Sequence, residues 1–205
     1  MDEEQAINLL KQGYINGLEF LVNRYYFKAV HTAYLIVLDK FQAEDVVQTV
    51  FLELPKKIKL FKSDSAFKPW FLRVVVNAAK NNAVKHARMV SLPVDFENGD
   101  DFPEALFQKS EMLPEDQIET REMRQTVLKA LEQLNPQQRA VIVMRYYLQM
   151  NENEMVGELD RPKSSIKWWL HTAKESLKVK LNELKPESGI TQTNHDEPDK
   201  GVNRE

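Results

Sequence analysis

From residue 16 to about residue 38, apolar side chains recur every three and four positions: Leu18, Leu21, Val22, Tyr25, Tyr26, Ala29, Val30, Ala33 and Val37. That is the period of an amphipathic α-helix, and it returns in block after block along the chain. A second helix is expected from near Gln42, with Val46, Val47, Val50, Phe51 and Leu54 on one face, and Pro55 is expected to end or kink it. A third is expected from near Phe67 to about Arg88, with Pro69 tolerated in its first turn. Trp70, Phe71, Val74, Val75 and Ala78 would form its core stripe, and Arg73, Asn77, Lys80, Asn81 and Lys85 its outer face. Only six glycines and nine prolines occur in 205 residues, too few turn-formers for many short strands. The expected fold class is all-α.

The period breaks at residues 91–113, which are acidic and hold two prolines and an Asn-Gly pair, so this stretch reads as a linker. It resumes at Pro114-Glu115-Asp116, where the acidic pair suits a helix N-terminus. Asn135-Pro136 reads as a cap followed by a first-turn proline, opening a helix with Ala140, Val141, Val143, Met144 and Tyr147. Asn151 is expected to cap a short helix to Leu159, and Asp160-Arg161-Pro162 to turn the chain into a last helix from Lys163 to about Leu184. Residues 186–205 lack large apolar side chains apart from Ile190 and Val202 and read as a disordered tail. The organisation expected is two small helical domains, 1–90 and 114–185, joined by a flexible acidic linker at 91–113.

Lys+Arg total 28 and Asp+Glu 31, a formal net charge of −3 that points to no nucleic-acid partner. The distribution says otherwise. Residues 1–52 carry −3, 53–90 carry +7, 91–122 carry −8, 123–185 carry +4 and 186–205 carry −3. Both basic blocks fall on helical pattern, and such asymmetry is a better guide to partners than the total. The acidic linker and tail are expected to screen the basic faces in the free protein; neutralising Asp95, Glu97, Asp100 and Asp101 would then raise DNA affinity.

A short helix, a turn of about three residues and a longer basic helix fit a DNA-binding helix-turn-helix. The second helix would enter the major groove with Lys163, Ser164, Ser165 and Lys167, then His171 and Lys174, facing the duplex. An αα-hairpin of other purpose has the same outline, so the pattern alone leaves both readings open.

Five motifs in register go further. Ala43-Glu44-Asp45-Val46-Val47-Gln48-Thr49-Val50-Phe51 resembles the "AEDxxQExF" segment of extracytoplasmic-function sigma factors of bacterial RNA polymerase. Phe67-Lys68-Pro69-Trp70-Phe71-Leu72-Arg73 with Asn77-Ala78-Ala79 is similar to their "FxxWLyrIarNla" helix, and Leu113-Pro114-Glu115-Asp116 to the entry of their second domain. Leu131 to Arg139 with Met144-Arg145-Tyr146 resembles "aLxxLpxxxRxvxxLry", and Pro162 through Ile166-Lys167, Leu170-His171 and Ala173 resembles "PxgTVKsRLhrAr". The resemblance covers about residues 14–185.

It implies roles for residues at the matching positions. Glu44, Asp45 and Gln48 would dock on core RNA polymerase, with Phe51 in the core. Residues 61–68, including Lys62, Ser63, Asp64 and Lys68, would belong to the loop that captures an extruded base of the promoter −10 element. Arg73, Asn77, Lys80, Asn81, Lys85 and Arg88 would follow the melted strand, which needs cations for phosphates and amides for unpaired bases. Arg139, Lys163, Ser164, Ser165, Lys167, Trp168, His171 and Lys174 would meet the −35 element. The chain departs from the family at Trp168-Trp169, Thr172 and Ser164, and at Val76, where arginine is common. One of the two adjacent tryptophans is expected to pack on the preceding helix and the other to be exposed. The resemblance also implies an anti-sigma partner, often membrane-bound in this family.

An enzyme reading fits poorly. Glu44 and Asp45 diverge by about 100° on a helix. His31, His86, His171 and His195 lie far apart without ligand spacing. No catalytic residue, metal or cofactor is expected. The absence of cysteine and the acidic start MDEEQAINLL fit a cytoplasmic protein, and no run of about 18 apolar residues could span a bilayer. Two rivals remain: a two-domain helix-turn-helix regulator that binds duplex DNA without polymerase, and an interaction protein that keeps the fold without promoter recognition.

Overall fold

The computed structural model describes residues 1–62, 65–89 and 114–183. Within them the chain forms α1 (Glu3–Lys11), α2 (Asn16–Val37), α3 (Lys40–Lys57), α4 (Phe67–Met89), α5 (Pro114–Glu132), α6 (Pro136–Ile142), α7 (Glu152–Leu159) and α8 (Lys163–Glu183), with no strand among the described residues. The fold is all-α in two helical groups, α1–α4 and α5–α8. The acidic linker, the tail, Ser63 and Asp64 lie outside the described residues.

Caps explain where the helices begin. Asp39 accepts from the Gln42 amide (2.7 Å), so α3 starts at Lys40, slightly before the apolar pattern. Asn135 and Asn151 each form a reciprocal capping box, with Gln138 and Glu154 respectively. Asp160 ends α7 in the left-handed region (φ 49°), which Asp tolerates better than most residues.

Three sequence expectations change. Pro55 does not end α3, which continues to Lys57 and then tightens into a 3₁₀ turn over Ile58–Leu60. Leu54 and Ile58, both fully buried on either side of the proline, hold the helix on the core. The buried stripe of α4 is also rotated from the one expected. Phe71, Leu72, Val75, Val76, Ala79 and Ala83 are buried, whereas Trp70, Val74 and Ala78 are only partly so. Finally, α6 stops at Ile142, and Val143–Tyr147 forms a π-turn in which the Leu148 amide reaches back to the Val143 carbonyl (3.0 Å).

Helix α1 is an addition to the sequence reading. Asp2 caps it with Gln5, and it buries Ala6, Ile7 and Leu10 against α2. The approach is close enough that a Cβ on Gly17 would lie 2.2 Å from the Ala6 carbonyl oxygen. Glu3 then accepts from the Tyr25 hydroxyl and pairs with Arg24 (3.0 Å).

The core of the first group is aromatic. Tyr25, Phe51, Phe61, Phe67, Trp70 and Phe71 stack in a chain of ring contacts. The second group centres on Leu131, Leu134, Val141, Met144, Met155, Leu159, Ile166 and Leu170. The two groups also meet. Helices α6 and α7 pack on α4, α6 packs on α2, and the buried residues form one continuous apolar cluster.

Candidate nucleic-acid interface

Three surfaces carry the predicted residues that the structure describes, Arg139 excepted. The first is on α3. Asp45 and Gln48 are exposed and Glu44 is half-buried. Phe41 and Leu52 lie on the same side, 78% and 77% exposed. Steps of four, three and four residues at about 100° each bring Phe41, Asp45, Gln48 and Leu52 within a narrow arc of the helix. Val46, Val47, Val50 and Leu54 occupy the buried side. Two large apolar side chains held in water around a carboxylate and an amide make a face suited to a protein partner. Phe41 and Leu52 were missed by the sequence reading; their spacing from Asp45 and Gln48 was the available signal.

The second surface is α4 with its approach. Lys62 and Lys68 are exposed, as are Asn81, Lys85 and Arg88 towards the far end. Lys68 lies close to Lys28 of α2, and burial together with the Lys68 charge lowers the Lys28 pKa. Lys28 thus joins the basic track, a residue no local pattern could have placed there.

Arg73, Asn77 and Lys80 are half-buried, and all three face the second helical group. Arg73 donates from Nη1 to Glu158 Oε1 (3.2 Å) and from Nε to the Pro69 carbonyl (3.3 Å). Asn77 Nδ2 donates to the other oxygen of the same carboxylate (3.4 Å). Burial lowers the Lys80 pKa, and the nearby Arg161 guanidinium lowers it further.

The third surface is the outward side of α8. Lys163, Ser164, Lys167, Trp168, His171 and Lys174 are exposed and Ser165 is half-buried, while Ile166, Leu170 and Ala173 anchor the helix from behind. Of the adjacent tryptophans, Trp169 packs against the core and Trp168 stands 58% exposed. Lys167 reaches Glu152 only at 4.0 Å, so its charge is largely uncommitted. Thr172 bonds back to the Trp168 carbonyl (2.9 Å) and receives Gln138 Nε2 (3.0 Å), fixing α8 on α6.

Arg139 stands apart from this face. Its Nε donates to the Ile36 carbonyl (2.6 Å) and its Nη1 to the Leu134 carbonyl (2.7 Å), and burial lowers its pKa to about 10. In this conformation it belongs to the seam between the groups. His31 and Tyr147 belong there too, with Nδ1 3.2 Å from the hydroxyl. Among the described residues no group of His, Asp and Glu is arranged to hold a metal ion, and no helix is long and apolar enough to cross a membrane.

Comparison with known proteins finds two matched segments, one in each helical group. The family model for sigma-70 region 2 matches residues 21–89, and that for sigma-70, region 4 matches residues 124–177. The ECF RNA polymerase sigma-E factor of Escherichia coli (strain K12) is 28% identical over 183 residues, spanning 89% of this chain and 90% of that protein. The RNA polymerase sigma-H factor of Pseudomonas aeruginosa is 24% identical over 188 residues, spanning 89% and 95%. The structure of CnrH in complex with the cytosolic domain of CnrY superimposes with a TM-score of 0.53 at 17% identity, over 89% of this chain and 99% of that one.

Proposed function

Because the chain belongs to the extracytoplasmic-function group of the sigma-70 family, we propose a division of labour among its three surfaces. The chain is an RNA polymerase sigma factor, which binds core polymerase and directs promoter-specific initiation. The α3 face of Phe41, Glu44, Asp45, Gln48 and Leu52 docks on core polymerase. Buried apolar contact supplies affinity there, and the carboxylate and amide supply orientation.

The α4 track of Lys62, Lys68, Arg73, Asn77, Lys80, Asn81, Lys85 and Arg88, with Ser63 and Asp64 next to Lys62 in sequence, receives the melted −10 strand. Its cations neutralise phosphates, and its amides can bond both donors and acceptors on unpaired bases. The outward side of α8 enters the major groove at the −35 element. Lys163 and Lys167 reach phosphates or guanine acceptors, Ser164, Ser165 and His171 add polar contacts, and Trp168 brings an apolar face to a thymine methyl.

The domains divide at 1–90 and 114–185, with 91–113 as tether and 186–205 as tail. The chain works in the cytoplasm without catalysis of its own. An anti-sigma protein is the natural inhibitor, since exposed Phe41, Leu52 and Trp168 offer it purchase. The observation that carries the reading is the pairing, in one chain, of two basic helices each anchored by an apolar stripe on its opposite side.

The test is in vitro transcription with purified core polymerase. Promoter-specific initiation that requires the chain is the expected result. Failure both to initiate and to co-purify with core polymerase, with duplex binding retained, would move the assignment to a regulator that acts without polymerase.

A further inference from the structure

The outward side of α2 carries one large apolar side chain that the core does not explain. Phe27 is about 200° round the helix from both Tyr25 and Ala29, which are buried, and it is 61% exposed. A single exposed phenylalanine is ordinary on a protein surface; its surroundings set this one apart. Arg24 stands three residues before Phe27 and four before Lys28, the spacings that make neighbours on a helix. Lys28 in turn lies close to Lys68 at the start of α4. The sequence has no acidic residue from Phe20 to Leu38. An aromatic ring is thus joined by three cations to the basic track of α4. Stacking surface beside cations is what an unpaired nucleotide needs, since every base has a face to stack and every linkage a charge to neutralise. We propose that Phe27 is a stacking platform for an unpaired base of the promoter strand flanking the −10 segment, with Arg24 and Lys28 holding the adjoining phosphates. This rests on the −10 role given to α4 above.

Two contacts hold the platform in place. Glu3 pairs with Arg24 at Nε (3.0 Å), and the arginine side chain remains 57% exposed. Tyr26 meets Phe27 in a T-shaped contact, with ring centroids 5.6 Å apart and planes at 79°. That contact restricts the Phe27 ring and lowers the entropy lost when a base settles on it. A protein partner is the rival occupant. The docking face of α3 sets two exposed apolar side chains around a carboxylate. On α2 a lone ring stands among cations, a charge pattern complementary to a polyanion.

The experiment uses the full chain assembled with core polymerase. The probe is a fluorescent single-stranded DNA oligonucleotide carrying the non-template −10 segment and its flanks, from a promoter that this complex transcribes, read by anisotropy. A parallel set carries one abasic site, moved along the flanks a nucleotide at a time. Phe27→Ala should weaken binding roughly fivefold to tenfold, as for the loss of one base stack, and Phe27→Trp should keep or raise it. One abasic position should weaken binding by the wild type by a similar factor and leave Phe27→Ala unaffected, because its stack is already lost. Circular dichroism should be unchanged, since Phe27 lies outside the core. Equal affinity of Phe27→Ala and wild type would overturn the proposal. So would losses that add at every abasic position. Weaker association of Phe27→Ala with core polymerase, at unchanged DNA affinity, would make the ring a protein contact and overturn it too. Lys85→Ala separates the two levels. If it weakens binding while Phe27→Ala does not, only the platform falls. If neither variant changes affinity, the −10 role of α4 falls with it.

Discussion

Arg139 Nε lies 2.6 Å from the carbonyl oxygen of Ile36, so an arginine of the second helical group caps a helix of the first. Ile36 sits in the last turn of α2, where carbonyls lack intrahelical donors and the helix dipole presents negative charge. Its Nη1 takes the Leu134 carbonyl just beyond α5 in the same way. One guanidinium therefore ties the ends of two helices. Arg139→Met should cost about 1.5–3 kcal/mol of stability, the range for a hydrogen bond to a charged group. Chemical denaturation of the full chain measures it; a loss below about 0.5 kcal/mol would mean the seam contributes little.

The His31 imidazole is predicted to make the fold acid-sensitive. Burial, together with the Lys28 and Arg124 charges, holds its pKa down at about 4 against 6.5 in an unfolded chain. Between those values the unfolded state binds the extra proton, so stability present above pH 6.5 is lost as pH falls towards 4. The loss should reach on the order of 2–3 kcal/mol. Denaturant midpoints at pH 7.5 and 5 would show it, and His31→Phe should flatten the slope relative to wild type. Equal slopes would mean the carboxylates alone carry the effect.

On α3, Phe41→Ala and Leu52→Ala should each weaken binding to core polymerase by about tenfold, the scale of an interface hot spot. Asp45→Ala should act in the same direction. Circular dichroism should stay unchanged, since these side chains leave the core intact. Wild-type affinity for all three variants would remove the docking role from this face.

The adjacent tryptophans should separate cleanly. Trp169→Ala should cost roughly 2–4 kcal/mol of stability, because the ring packs on the core. Trp168→Ala should leave the melting temperature within a few degrees and reduce affinity for −35 duplex DNA. Reversed outcomes would place the duplex face elsewhere on α8.

Gly17→Ala should loosen α1. Its Cβ would meet the Ala6 carbonyl oxygen at 2.2 Å, and relieving that clash should cost about 1–3 kcal/mol. Limited proteolysis near the N-terminus would detect the release, with polymerase binding through α3 retained.

What could be read in advance followed local rules. The apolar period of α2, the Asn135-Pro136 and Asn151 starts and the helix-turn-helix outline all depend on residues within a turn or two of each other. Helix α1 does not emerge from the apolar period although Asp2 and Gln5 spell its capping box; nine residues carry too short a period to stand out. The rotation of the α4 stripe was hidden because nearly every residue from Trp70 to Ala79 is apolar or small, so several faces looked alike.

The sequence by itself determined helices, caps, charge blocks and the outward sides of α3 and α8, because one helix face and its opposite are fixed by spacing alone. Only the tertiary structure decided that Arg73 and Asn77 meet Glu158, that Arg139 binds the end of α2, and that His31 lies beside Tyr147. Those pairs are separated by 85, 81, 103 and 116 residues. No local period encodes a contact at that range; it appears only when two apolar stripes bury each other and carry their polar neighbours into register.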